Sequence, residues 1–156
     1  MSYLTTSCPF TPDLKKMKTA LSISDERTLK QYLDYLDKLQ LILSIGKAGS
    51  KFKSLLRPEK IYLNNPNFIF ALASSGNVDT GNLRETFVAN ILRGIHDLQI
   101  PNKGDFLVDD KYTFEVGGKS KGSDQLLNLK NSYIFADDIE MGVKNKIPIW
   151  TLGFLY

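Results

Sequence analysis

Residues 104–121, GDFLVDDKYTFEVGGKSK, contain two short apolar runs joined by a polar turn, with charged side chains at the ends of the runs. The first run follows Asp105, and the second surrounds Glu115, which stands between Phe114 and Val116. Short runs bounded by turn residues predict two β-strands of a hairpin. A carboxylate inside a buried strand needs a partner, and a lysine or a metal ion would serve.

Outward from this hairpin, the residues after 65 predict a mixed sheet flanked by helices. An amphipathic helix is predicted over 82–97, because Leu83, Phe87 and Ile91 share one face. A shorter helical segment is predicted at NFIFALA (67–73) and another helix at SDQLLNL (123–129). Strands are predicted at LQI, DFLV, YTFEV, SYIFA and PIWTLGF.

The first 64 residues predict two helices followed by a hairpin. The helices are DLKKMKTALSI, with a cap at Thr11, and TLKQYLDYLDKLQLI, with a cap at Ser24. Strands are predicted over 41–45 and 60–63, joined by a basic turn. This order is that of a winged helix-turn-helix, which places its second helix in the major groove of DNA. We therefore predict an α+β protein with domains 1–64 and 65–156.

Charge and composition limit the partners. Residues 1–60 hold 11 Lys/Arg against 6 Asp/Glu, whereas residues 61–156 hold 9 against 11. The first part suits a polyanion and the second a cation, although lysines also simply solubilise small helical domains. No apolar run approaches the ~18 residues that span a bilayer, so no membrane partner is expected. The single Cys8 fits a reducing compartment and predicts a cytoplasmic protein.

Two other kinds of site are disfavoured. The lysine-glycine stretches GKAGSK and GGKSKGS lack the GxxxxGK[ST] spacing, so the chain has no phosphate-binding Walker A loop. The single histidine, His96, has no second His or Cys nearby with which to build a zinc site.

A resemblance to a known family is carried by the order and spacing of five stretches: TLKQYLDYLDKLQLI, RPEKIYLNNPNFIFAL, NLRETFVANIL, GDFLVDDKYTFEVGGKSK and KIPIWTLGFLY. Together they resemble the C-terminal portion of a family of AAA-type ATPases of bacteria and archaea. There a nucleotide-binding domain precedes a winged helix and a domain of unknown function similar to PD-(D/E)XK nucleases. The resemblance implies that ATP binds only to a domain absent from this chain, and that this ATPase domain is a partner. Whether the chain is a fragment or a short protein, and its oligomeric state, stay open.

The resemblance also implies a nuclease-like site with Mg²⁺ as cofactor. Glu85 on the long helix, Asp105 and Glu115 would hold the ion, and Gln125 stands where the superfamily has a further polar contributor. Plainer interpretations remain for two of these residues. Glu85 near a helix start is favoured by the helix dipole, and Asp105 after a glycine is a common turn residue.

The nuclease motif departs from its usual form at one position. The motif has its lysine two residues after the acid, where this chain has Gly117. Lys119 is two residues further and faces the same side by strand parity if Gly117 and Gly118 bend the chain. We expect Lys119 to orient or activate water, unless the two glycines mark a site that has lost its lysine.

The winged helix would contact DNA through polar side chains of its second helix and wing: Arg27, Lys30, Gln31, Lys38, Lys47, Lys51 and Lys53. Asp34 and Asp37 on the same helix would repel phosphates, and in the resembling ATPases the winged helix also packs on the ATPase core. The leading expectation is an accessory region of an AAA-type ATPase that binds DNA or protein partners. The alternatives are a Mg²⁺-dependent DNA nuclease and a non-catalytic packing module, which would expose an apolar surface around Phe10 or Phe52.

Overall fold

The computed structural model describes residues 8–50, 58–72 and 78–155. Its first elements are helices α1 (Leu14–Ala20) and α2 (Glu26–Lys38). Each begins after an aspartate: the Asp13 carboxylate accepts from the backbone N–H groups of residues 15 and 16, and that of Asp25 from residue 27. The expected caps, Thr11 and Ser24, are therefore wrong. In each case an aspartate next to the helix takes that place, since a carboxylate also complements the positive end of the helix dipole.

A two-stranded hairpin follows, made of β1 (Ile42–Ile45) and β2 (Lys60–Leu63). The strands are antiparallel, with Ile42 opposite Leu63 and Ile45 opposite Lys60. Both faces of the hairpin are covered. Ile42, Ile61 and Leu63 pack with the two helices, whereas alternate residues of the same strands pack with the second half of the chain.

The second half is a mixed five-stranded sheet with helices against it, so the α+β class is confirmed. Helix α3 (Asn67–Leu72) and the longer α4 (Thr80–Arg93) precede the sheet. The strands lie in chain order, with β3, β4 and β5 antiparallel and β5, β6 and β7 parallel. Their bounds are Leu98–Gln99, Phe106–Val108, Tyr112–Gly117, Ser132–Ala136 and Lys146–Pro148.

Two expected elements differ from the structure. SDQLLNL forms only a 3-10 turn, Asp124–Leu126, and the last strand is Lys146–Pro148, followed by a 3-10 helix at Ile149–Phe154. PIWTLGF was expected to be a strand because it is a short apolar run. A run of this kind is equally consistent with a buried strand and with a buried helical segment. Among the described residues, no helix is long and apolar enough to cross a bilayer.

The sheet, α4 and the hairpin share one apolar core. Leu43, Ile45 and Tyr62 of the hairpin join Val88 and Phe106 in it. The predicted boundary between domains falls at the end of β2, but the hairpin that precedes it is packed on both sides. This packing fixes the start of β2 next to α4 and the sheet, where the acidic side chains lie.

Candidate functional site

Three acidic side chains come from α4 and two adjacent strands. Glu85 lies on α4, Asp105 directly precedes β4, and Glu115 is in β5. The antiparallel pairing holds Asp105 against β5: its backbone N–H donates to the Phe114 carbonyl at 2.8 Å, and its Oδ2 accepts from the Val116 N–H at 2.7 Å. The ladder thus places Asp105 beside Glu115.

Glu115 is the most deeply buried of these acids, with 1% of its surface exposed. Its Oε1 lies 2.5 Å from the Nζ of Lys121. With its amide nitrogen turned inward, Gln125 also reaches the site, 3.3 Å from both carboxylate oxygens of Glu115. A buried carboxylate is tolerated when it is paired and hydrogen-bonded, and Glu115 has both kinds of partner.

The structure corrects the expectation that Lys119 reaches back to Glu115, since the lysine at Glu115 is Lys121. The chain turns after β5, and the Lys121 N–H donates to the Gly118 carbonyl at 3.0 Å. Lys119 lies on the outside of this turn with its side chain exposed, and its carbonyl accepts from the Nζ of Lys146. Strand parity applies only while a strand runs straight, and this strand ends at Gly117.

Because Gly117 has no side chain, it leaves room for the side chain of Lys121. A Cβ on Gly117 would lie 2.7 Å from both Cβ and Cγ of Lys121, and 2.8 Å from its Cδ. Those contacts are with the root of the lysine side chain, which is fixed by the backbone. Gly117 therefore leaves free the space that the Lys121 side chain occupies.

We expect Gly117→Ala to lower the free energy of unfolding by about 1–3 kcal/mol, the usual cost of overpacking. Gly118→Ala is the matched control, because a Cβ there would meet only Arg84 at 3.5 Å, an ordinary contact. Urea unfolding of both variants at pH 7 measures the difference. Equal stability of the two variants would contradict the role given to Gly117.

Glu85 is bound from the hairpin. Its Oε2 lies 2.6 Å from the Nζ of Lys60 and accepts from the hydroxyl of Tyr62 at 3.3 Å. Tyr62 is fully buried, and burial together with the charge of Glu85 raises the pKa of its phenol. Sequence reasoning missed Lys60, Tyr62 and Lys121. Alternation along β2 does predict that residues 60 and 62 share a face, but nothing local indicates that this face meets α4.

The pKa of Asp105 is raised by burial and by the negative charges around it. Burial, and after it the charge of Glu85, raises the pKa of Asp105 from 3.8 to about 6. Glu115 acts in the same direction, while the Val116 N–H and the charge of Lys60 oppose the shift. The three acids and two lysines therefore form one electrostatic unit, which we call the carboxylate–lysine site: Glu85, Asp105, Glu115, Lys60 and Lys121.

The resemblance implies a Mg²⁺ ion at the carboxylate–lysine site, and the contacts of the three carboxylates show whether they could bind it. Carboxylate oxygens are the hard ligands that Mg²⁺ prefers. In this arrangement, however, Glu85 and Glu115 each bind a lysine, and Asp105 binds a backbone N–H. No three His, Cys, Asp or Glu side chains in the described part of the chain are arranged to hold a metal ion. The residues as placed do not fit the ion, and we derive no step through it.

The residues expected to contact DNA lie elsewhere, on the side of α2 opposite the buried Leu29 and Leu33. All four on that helix are exposed, and we call them the outer face of α2: Arg27, Lys30, Gln31 and Lys38. Lys38 pairs with Asp34 at 2.6 Å, which raises its pKa. Asp37 is turned to the Ser44 N–H at 2.9 Å. Lys47 is exposed at the hairpin turn, and Lys51 and Lys53 lie outside the described residues.

Comparison of the chain with protein-family models, with curated proteins and with solved structures finds no match.

Proposed function

We propose that this protein binds duplex DNA through the outer face of α2, with the exposed Lys47 as a further contact. The observation that carries the proposal is the exposure of Arg27, Lys30, Gln31 and Lys38 on one side of a helix whose other side is buried. Neutralising phosphates with Lys and Arg supplies most of the sequence-independent affinity of proteins for DNA. An exposed helix of this kind also fits the width of the major groove.

Two of the three acids of α2 interfere less than the sequence indicated, while Glu26 stays in the first turn, directly before Arg27. Asp37 is used inside the protein, where it accepts from the backbone of β1. Asp34 binds Lys38, so that pair contributes little net charge to the surface. Arg27 and Lys30 are left as the main cations of the helix, with Gln31 next to Lys30 in the chain and one helical turn after Arg27 as a side chain that hydrogen-bonds to base edges.

The order of two helices and a hairpin is that of a winged helix, and we propose this fold for residues 1–64. With the resemblance to AAA-type ATPases, it supports an accessory role in which this region holds DNA for an ATPase domain. For residues 65–156 we propose the PD-(D/E)XK-like fold. Its support is the run of one helix, three antiparallel strands and a parallel fourth strand.

DNA binding should weaken when the outer face of α2 is neutralised. We expect Arg27→Gln, Lys30→Gln and Lys38→Gln together to weaken binding of a duplex about tenfold or more at low salt, because up to three phosphate contacts are lost. The slope of log Kd against log salt should also flatten. Fluorescence anisotropy with a labelled duplex over a salt series measures both.

The matched control changes three exposed lysines of the second half to glutamine: Lys103, Lys130 and Lys144. It removes the same net charge, so a general electrostatic effect would weaken both triple variants equally. Equal weakening, or an unchanged salt slope in the α2 variant, would contradict the proposed surface.

A metal-dependent nuclease is the second candidate function, and one observation favours it. Lys121 supplies the lysine that the motif lacks at Gly117, and it lies directly at Glu115. The lysine pairing of Glu85 and Glu115 counts against it, since those carboxylates are not free in this arrangement. Plasmid cleavage in Mg²⁺ or Mn²⁺ that disappears in Glu115→Gln would establish this activity. Cleavage that survives the substitution would come from a contaminant.

A further inference from the structure

Two of the three acids that the resemblance assigns to a metal ion are instead held by lysines from different parts of the chain. Lys60 comes from the first residue of β2 and lies 2.6 Å from Glu85. Lys121 comes from the turn after β5 and lies 2.5 Å from Glu115. The two lysines are 61 positions apart in the sequence and meet acids on α4 and β5. Neither lysine belongs to the outer face of α2.

We propose that Lys60 and Lys121 are built-in counter-ions of the carboxylate–lysine site, so that a divalent cation binds there only by displacing them. Three carboxylates and two ammonium groups leave a net charge of about −1 when all are ionised, with Asp105 as the acid that has no lysine of its own. Two lysines thus supply the charge that one divalent cation would bring.

The exposure of the partners supports displacement of Lys121 and not of Glu115. The Lys121 side chain keeps 31% of its surface exposed and that of Glu115 keeps 2%, whereas in the other pair Lys60 and Glu85 keep 24% and 20%. A long lysine side chain at the edge of a site moves its ammonium group into water at little cost. The buried glutamate has no such alternative, because an unpaired buried charge is costly.

The pairing also persists at neutral pH. The hydrogen bond to Glu115 is the largest cause that raises the pKa of Lys121, so its ammonium group stays charged well above pH 7. A cation that enters must therefore compete with a positive charge already in contact with Glu115. Repulsion of that kind weakens binding steeply in a partly buried site.

The test uses Mn²⁺ alone, with the full chain and no DNA. We expect Lys60→Met with Lys121→Met to bind Mn²⁺ about tenfold or more tightly than the native protein at pH 7, measured by electron paramagnetic resonance of free Mn²⁺. Lys103→Met with Lys130→Met is the control and removes two exposed charges that take no part in the ion pairs of Glu85 and Glu115. Adding Glu115→Gln to the first pair should remove the gain, which would locate the ion at the site.

Removing Lys121 weakens the fold, so each variant is first checked by circular dichroism and thermal unfolding. Lys60→Met alone serves if the double variant does not fold, because Glu85 is only partly buried, and a gain of about threefold is expected. Native protein that binds Mn²⁺ as tightly as the folded variants would overturn the proposal. A gain of the same size in the Lys103/Lys130 control would overturn it as well. Neither outcome depends on whether α2 binds DNA.

Discussion

Lys121→Met is expected to destabilise the protein by about 3–5 kcal/mol at pH 7, a large part of the free energy of unfolding of a typical domain. The reason is the carboxylate that stays behind. Glu115 is 1% exposed and loses the ammonium group 2.5 Å from its Oε1, so its charge is left buried with the Gln125 amide as the donor beside it. Urea unfolding followed by circular dichroism measures the change.

Two further variants make this result specific. Lys119→Met changes the lysine that strand parity predicts at Glu115. Because the Lys119 side chain is exposed, we expect the free energy of unfolding to change by no more than about 0.5 kcal/mol. Adding Glu115→Gln to Lys121→Met removes the stranded charge and should restore most of the lost stability. If Lys119→Met costs as much as Lys121→Met, the assignment of Lys121 as the partner of Glu115 is wrong.

Asp105→Asn is expected to have the opposite effect and to stabilise the protein at pH 7.5 by about 1–3 kcal/mol. Asparagine keeps an oxygen that accepts from the Val116 N–H and removes the charge that burial, Glu85 and Glu115 disfavour. A pKa raised from 3.8 to about 6 corresponds to about 3 kcal/mol at most. The amide nitrogen of asparagine needs its own partner, which reduces the gain.

The gain should depend on pH in a defined direction. Because the folded protein holds the Asp105 proton up to a pKa of about 6 and the unfolded chain only to 3.8, native stability falls as pH rises between these values. The advantage of Asp105→Asn should therefore be full above pH 7 and vanish near pH 3.5. Asp124→Asn, at an exposed aspartate, is the control. A gain that is the same at every pH would refute this electrostatic cause.

Much of the fold follows from local patterns in the sequence. The short run YTFEV (112–116) predicts a strand, which the structure has at Tyr112–Gly117, and the helical spacing of Leu29 and Leu33 predicts α2. The error at 148–154 has a physical cause. A short apolar run fits either a buried strand or a tight helical turn, and its contacts with α4 decide between them.

The carboxylate–lysine site was predictable only in part. The three acids were named from a motif, and motifs record spacing along one strand or helix. Lys121 was missed because the chain turns between Gly118 and Lys121. Beyond the end of the strand, side chains no longer alternate between its two faces. Lys60 was missed because it reaches Glu85 across 25 positions, through hairpin packing that no local pattern encodes.

The hairpin that is covered on both faces has a consequence for insertions and deletions. Ile61 and Tyr62 are neighbours in β2, yet one packs with the helices and the other with the sheet. Adding or removing one residue inside β2 would turn each side chain to the opposite face and disturb two cores at once. It would also turn Lys60 away from Glu85. Length changes within 60–63 should therefore be rejected.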